Sequence, residues 1–257
     1  LNWFESKPLY GKRIAVTRTR KQAGELIEQL RELGADAYEL PTIRIEPPTD
    51  LREFYELVAY AHSYDWLIFT SPNGVDAFFE AFFKIYRDAR ELGGVKIAAI
   101  GPATAARVAS FHLQVDLQPD KYVAEAVVKA FQKTESVENL KILLARAENA
   151  RDVLPVELSR LGAIVDEAIA YRTVPETDAE EGIRRYREEG ADLVTFTSSS
   201  TAENFAALKL PAPAAAASIG PITSATLRKL GLPLAVEART HDIPGLVAAI
   251  AKHWKNV

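Results

Sequence analysis

The chain has 257 residues, 48% hydrophobic and 26% charged, with a net charge of −4. This suits a soluble globular protein with one large core or two smaller ones, and it excludes the global basic field expected of a nucleic-acid binder. Cysteine is absent, which excludes disulfides, thiolate nucleophiles and Cys-ligated metal, and no apolar run approaches the ~20 residues of a membrane-spanning helix.

No basic segment followed by an apolar one opens the chain, so a cytoplasmic location is expected. The chain starts at Leu1 and contains no methionine, so it is expected to be a piece of a longer product. Residues 1–12, with Pro8 and Gly11, read as an irregular lead-in. The apolar run 14–17 predicts a buried parallel strand. Ala23, Leu26, Ile27, Leu30 and Leu33 follow at helical spacing, and Gly34 ends that helix. Residues 37–45 alternate as an extended stretch that Pro47-Pro48 closes. Then come a helix over 51–62, a strand over 66–70 and a helix with Val75, Phe78, Phe79 and Phe82 on its buried face. A strand at 97–100 and helices at 103–110 and 123–131 complete the first half. The second half begins with a strand at 142–145, a helix to Leu161 and an extended stretch over 164–174. A helix, a strand at 193–197, a helix, a strand at 217–219 and two helices, the last over 243–254, follow. Strands alternating with helices predict parallel sheets covered on both faces.

The two halves repeat one another. Arg13-Ile14-Ala15-Val16-Thr17-Arg18 matches Lys141-Ile142-Leu143-Leu144-Ala145-Arg146, and Leu33-Gly34-Ala35 matches Leu161-Gly162-Ala163. Asp65-Trp66-Leu67-Ile68-Phe69-Thr70-Ser71 matches Asp192-Leu193-Val194-Thr195-Phe196-Thr197-Ser198, and Ile100-Gly101-Pro102-Ala103-Thr104 matches Ile219-Gly220-Pro221-Ile222-Thr223. Two copies suit two similar lobes with a shared cleft, a favoured ligand site, whereas a solenoid needs more repeats. The long extended stretches occupy equivalent places and are expected to connect the lobes, with the first strand–helix unit of each copy packing with the remainder of the other. The expected lobes are 1–36 with 173–257, and 48–163, joined by connector strands 37–47 and 164–172.

Four strand-to-helix turns carry the candidate chemistry. Ser71 with Pro72, Asn73 and Gly74 is either an N-cap or an anion site at a helix start. Its counterpart, Ser198-Ser199-Ser200-Thr201, has more hydroxyls than one cap needs. Thr104 and Thr223 follow Gly-Pro turns of the same kind. Arg18 and Arg146 each end the first strand of a copy, as solvated side chains or as bidentate anion contacts. Tyr171 is either an ordinary strand aromatic or a phenol able to donate a proton. No dinucleotide or P-loop fingerprint is present, and His62, His112, His241 and His253 lack metal-ligand spacing. Cofactor and metal are therefore not expected.

From Gly11 to Trp254 these motifs, in this order, resemble the uroporphyrinogen-III synthase family. The resemblance implies two flavodoxin-like lobes of doubly wound parallel sheet, a two-stranded connector and a cofactor-free lyase of tetrapyrrole biosynthesis. Its linear tetrapyrrole substrate, hydroxymethylbilane, would lose water, invert its last ring through a spiro intermediate and close as uroporphyrinogen III. The residue matching the family's favoured assistant for hydroxyl departure is Tyr171. Arg18, Ser71, Asn73, Thr104, Arg146, Ser198, Ser199 and Thr223 are expected to bind the eight-carboxylate substrate. A monomer without nucleic-acid or membrane partners is expected. The segment from Trp3 to Arg13 resembles the junction with a fused uroporphyrinogen-III methyltransferase. The competing reading is a non-catalytic two-lobed binder of an anionic small molecule; a regulatory sensor is a weaker third.

Overall fold

The computed structural model describes residues 5–119 and 124–255. Its elements run β1 (Arg13–Val16), α1 (Arg20–Glu32), β2 (Asp36–Glu39), β3 (Ile43–Glu46), α2 (Leu51–Ala59), β4 (Trp66–Phe69), α3 (Pro72–Ile85), β5 (Lys96–Ala99), α4 (Pro102–Ala109) and α5 (Ala124–Thr134). They continue as β6 (Lys141–Ala147), α6 (Val153–Arg160), β7 (Ile164–Pro175), α7 (Glu180–Glu189), β8 (Leu193–Phe196), α8 (Ser199–Ala207), β9 (Ala216–Ser218), α9 (Pro221–Lys229), β10 (Leu234–Glu237) and α10 (Ile243–Lys255). The chain divides into two compact units. One takes the described residues up to Ile45 together with those from Val174 onward, and the other spans Glu46–Thr173.

In the first unit the strand order is β10-β9-β8-β1-β2, every neighbouring pair parallel. Counted within the unit this is the doubly wound 2-1-3-4-5 order, in which ligands meet the carboxyl ends of the strands. The second sheet has the order β3-β7-β6-β4-β5, with β4, β5, β6 and β7 in parallel pairs. Thus β1 pairs with β8 from the far end of the chain, and β6 pairs with β4 from the first half.

One device sets both of these pairings. The Asp192 carboxylate accepts from the backbone N–H of Arg13 at 2.7 Å, while the Asp192 N–H donates to the Arg13 carbonyl at 2.8 Å. Asp65 does the same with Lys141, at 2.7 and 2.8 Å. The aspartate that opens each matched Asp-to-Ser motif therefore clamps the amino end of its strand to the partner. A shift by one residue would forfeit both bonds and turn the side chains to the wrong face.

Each sheet is covered on both sides. In the first unit Leu26, Leu30, Leu246 and Ile250 from α1 and α10 lie over Ile14, Val16 and Leu193, all buried. The opposite face carries Tyr38, Tyr186, Phe196, Phe205 and Leu227. In the second unit Trp66, Phe131, Ile142, Leu144 and Leu158 form one side. Phe69 packs edge-to-face on Phe78, whose ring is 5.2 Å from that of Phe79. With Phe82 these rings are fully buried, each contributing about 1.5–3 kcal/mol.

Several expectations are corrected. Residues 37–45 do not form one extended connector. β2 belongs to the first sheet, in register with β1 from Arg13↔Asp36 to Val16↔Glu39, and β3 is the edge of the second. Pro41 falls between them and, lacking an N–H, cannot continue a ladder. Residues 164–172 lie in β7, which pairs with β6 from Lys141↔Ile164 onward and continues to Pro175. The helix expected over 51–62 stops at Ala59, and a short 3₁₀ turn, Ala61–Ser63, follows. The strand β10 was not anticipated. The start of the helix expected at 123–131 lies outside the described residues, as do Trp3 and Phe4 of the lead-in. Among the described residues no helix is long and apolar enough to cross a membrane.

Two helical glycines test this packing with opposite signs. A Cβ on Gly182 of α7 would stand 2.5 Å from the Glu39 carbonyl oxygen, whereas one on Gly24 of α1 would meet nothing within 4 Å. Gly182→Ala is expected to destabilise by about 1–3 kcal/mol despite the better helix propensity of alanine. Gly24→Ala is expected to stabilise by about 0.5–1 kcal/mol. Thermal denaturation followed by circular dichroism should lower the midpoint for the first and raise it for the second.

Candidate active site

In the second unit, β4 ends at Phe69 and α3 begins at Pro72. Ser71 is extended, and its Oγ accepts from the Gly74 N–H at 3.1 Å, which makes it the N-cap. Proline at the first helical position suits this start. A Cβ on Gly74 would lie 3.4 Å from the carbonyl oxygen of Ala145, so the helix start seats closely on the end of β6.

Tyr171 reaches the same place from β7. The pairing of β7 with β6 shifts by one residue, from Arg146↔Ile169 to Ala147↔Tyr171. Such a bulge re-aims side chains. Tyr171 is 8% exposed, and its hydroxyl lies 2.9 Å from Ser71 Oγ. The Asn73 side chain also hydrogen-bonds the phenol. Burial pushes the phenol up from its ordinary value, while the bonds to Ser71 and Asn73 pull the other way. Tyr171 therefore holds its proton at neutral pH, beside two groups that favour its loss.

Thr104 stands in the first turn of α4, buried, after Gly101 and Pro102. Gly101 has φ 87°, a left-handed conformation that favours glycine.

Arg146 differs from its sequence-level expectation. It is 2% exposed, its Nη1 donates to Glu167 at 2.6 Å and its Nη2 to Asp152 at 3.0 Å and to the Ala150 carbonyl. Two carboxylates already neutralise it, so it braces β6, β7 and the start of α6. A substrate anion would have to displace them.

In the first unit Arg18 occupies the matching place after β1. It makes no hydrogen bond or ion pair among the described residues; Glu25 acts on it only at longer range. Burial lowers the guanidinium from its ordinary value, and Glu25 raises it. The first turn of α1 carries no acidic residue.

Ser198 caps α8 reciprocally. Its Oγ accepts from the Thr201 N–H at 3.2 Å, and Thr201 Oγ1 accepts from the Ser198 N–H at 3.3 Å. Ser199 Oγ accepts from Thr226 Oγ1 at 2.7 Å, which ties the start of α8 to α9. Thr223 is buried in the first turn of α9. Just before it, Gly220 lies under the ring of His241, which a Cβ there would meet at 3.2 Å. His241 was not singled out in the sequence because nothing in its spacing marks a partner.

The sequence-level site thus separates by unit. Ser71, Asn73 and Tyr171 form one hydrogen-bonded group, with Thr104 at the same carboxyl edge and Arg146 committed to the scaffold. Ser198, Ser199 and Thr223 line the corresponding edge of the other unit, with Arg18 after its first strand.

Two largely parallel sheets with helix starts at the carboxyl ends of their strands define a two-unit α/β protein. Within that class the relatives are specific. A profile of the family described as uroporphyrinogen-III synthase HemD matches residues 24–248. The uroporphyrinogen-III synthase of Synechococcus elongatus is 32% identical over 96% of this chain and 97% of its own length. A putative uroporphyrinogen-III synthase of Methanothermobacter thermautotrophicus is 33% identical over 93% of this chain and 97% of its own. The crystal structure of a mutant uroporphyrinogen III synthase from Thermus thermophilus superposes with a TM-score of 0.67 at 18% identity, covering 96% of this chain and all of that one, and shares the fold. The chain belongs to the uroporphyrinogen-III synthase family.

The two matched arginines should part company on mutation. Arg146→Ala removes three hydrogen bonds and a packed aliphatic stem, and it is expected to cost about 2 kcal/mol of stability. Arg18→Ala should change stability by no more than about 0.5 kcal/mol. Urea denaturation of both variants measures the difference.

Proposed function

We propose that this chain is a uroporphyrinogen-III synthase, a cyclising hydro-lyase that converts linear hydroxymethylbilane into uroporphyrinogen III. The observation that supports this most directly is the hydrogen-bonded Tyr171–Ser71–Asn73 group at the carboxyl edge of a sheet, in a chain of this family.

The reaction asks little of strong acids or bases. The pyrrole nitrogen supplies the electron pair that expels the terminal hydroxyl, and Tyr171 gives that hydroxyl its proton, so that water leaves. The last ring then attacks through its substituted carbon, forms the spiro intermediate, reopens and closes inverted. The protein's part is to hold this conformation and keep water away from the cation. No cofactor enters.

Substrate acetates and propionates would be taken by backbone N–H groups at the starts of α3, α4, α8 and α9, where Ser71, Asn73, Thr104, Ser198, Ser199 and Thr223 stand. Helix N-termini favour anions by N–H geometry and dipole together. Arg18 adds a guanidinium that makes no hydrogen bond or ion pair among the described residues. Arg146 is assigned to the scaffold instead. A binder of anionic small molecules would use the same helix starts but leave the buried Tyr171 phenol without a task.

Incubation with hydroxymethylbilane, followed by oxidation and separation of isomers, decides between them. The type III isomer is expected; only the symmetric type I isomer, which forms unaided, would reject the enzyme. Tyr171→Phe, which removes one oxygen, should lower turnover on the order of 10- to 100-fold, within what a positioned proton donor supplies. At α9, Thr223→Ala should cost about 1 kcal/mol of substrate binding or less, whereas Thr223→Trp, which covers the N–H groups, should cost far more. Equal losses would mean that the hydroxyl carries recognition.

A further inference from the structure

We infer that Ser71 and Asn73 are positioning residues for Tyr171, which fix its phenol and stabilise the charge its oxygen takes up when the proton leaves, in place of binding substrate through their side chains. The inference rests on the reading of Tyr171 as proton donor.

A serine hydroxyl has one proton and two lone pairs. Ser71 Oγ spends one lone pair on the Gly74 N–H, at 3.1 Å. Its remaining polar neighbour is the Tyr171 hydroxyl, at 2.9 Å. When Tyr171 is neutral, either oxygen can donate to the other. Once the phenol proton has gone, only Ser71 can donate, and the bond becomes charge-assisted and stronger. Asn73 is a second hydrogen-bonding neighbour of the phenol, and its amide N–H can serve the same end.

Position adds to this. Ser71 is the cap of α3, a helix of 14 residues, and Asn73 lies in its first turn, so the phenol oxygen is held at the positive end of the helix dipole. Donors and dipole fixed in advance around a developing negative charge need no reorganisation as the reaction proceeds. The burial of Tyr171 opposes ionisation, and these groups oppose the burial.

The step balances. The Tyr171 O–H proton passes to the substrate hydroxyl, the C–O bond breaks with its electron pair on oxygen, and water departs. The phenolate and the azafulvenium cation of the substrate then carry opposite charges. The proton released from the ring carbon as the macrocycle closes returns to Tyr171.

A double-mutant cycle tests this on the full chain. Ser71→Gly keeps most of the cap, since glycine is well tolerated at that position. It should lower kcat on the order of 10-fold, part of the donor's contribution, while KM stays within about twofold. In the Tyr171→Phe background the same change should alter kcat by less than about twofold, because the group it serves is gone. Ser71→Thr, which keeps a hydroxyl in place, should restore most of the activity. A second readout needs no substrate. In protein labelled with carbon-13 at tyrosine Cζ, the Tyr171 signal is assigned by its loss in Tyr171→Phe. It should shift with Ser71→Gly and with Asn73→Ala, and stay near its original position with Ser71→Thr.

Losses that multiply in the double variant, or a Ser71→Gly effect confined to KM, would overturn the inference and make Ser71 a substrate contact. An unmoved Tyr171 signal would overturn it as well. A Tyr171→Phe variant with full turnover would instead sink the reading of Tyr171 as donor, an outcome distinct from additive losses.

Discussion

The structure depends on a reciprocal pair of hydrogen bonds used twice: Asp192 with the backbone of Arg13, and Asp65 with that of Lys141. Each clamp joins strands from distant parts of the chain, Arg13 and Asp192 being separated by 179 positions. Loop-closure entropy grows only logarithmically with such separation, so the thermodynamic penalty is modest. The specificity problem is greater, because a parallel ladder has evenly spaced bonds and little else to mark its start. An aspartate that accepts one particular N–H while its own N–H is accepted in return marks it. With the starts of β1 and β8, and of β6 and β4, held level, their carboxyl ends are level too. The helix starts that follow depend on that alignment.

In the proposed binding of substrate, recognition falls mainly to backbone. Where a helix begins at the end of a parallel strand, its first N–H groups have no intrahelical carbonyl partner, and a cap such as Ser71 or Ser198 takes only one of them. The two matched arginines show how a repeated residue can divide its duties. Arg146 is enclosed by Glu167 and Asp152 and holds β6, β7 and α6 together. Among the described residues Arg18 is bonded to no carboxylate, and burial lowers its guanidinium from the ordinary value. In the repeat both hold the same place, although Arg18 lies just past β1 and Arg146 still within β6. The difference lies in what the following turns contribute, with Asp152 six residues beyond Arg146 and nothing comparable bonded to Arg18.

Much of the fold was legible because its signals are local. Apolar runs such as Ile142 to Ala145, helical spacing in α1 and the Gly-Pro turns before α4 and α9 all act over a few residues. The two halves could be matched because the same turns recur. What was not legible was set by partners elsewhere. The break at Pro41 reads as part of one extended stretch until β2 is seen to need β1 and β3 to need the other sheet. Strand β10 is four residues long and half exposed, too short for a period to register. The commitment of Arg146 could not be foreseen, since an arginine that ends a strand looks alike whether or not a carboxylate awaits it. Tyr171 and Ser71 were each noticed, but their bond spans 100 positions and exists because a bulge in β7 turns the phenol toward the cap.

That bond bears on how so weak an acid could serve in the proposed reaction. A phenol buried among apolar side chains would keep its proton too firmly, and one bathed in water would find its proton exchanged with solvent and its orientation lost. At Tyr171 desolvation favours the neutral phenol, while the bonds to Ser71 and Asn73 act the other way on the same oxygen. Because a capping hydroxyl is needed at the start of α3 in any case, the folding requirement of the helix and the chemical requirement of the phenol are met by the same side chain. A substitution that keeps the cap but loses the hydroxyl would leave a well-folded protein with a poorly held phenol.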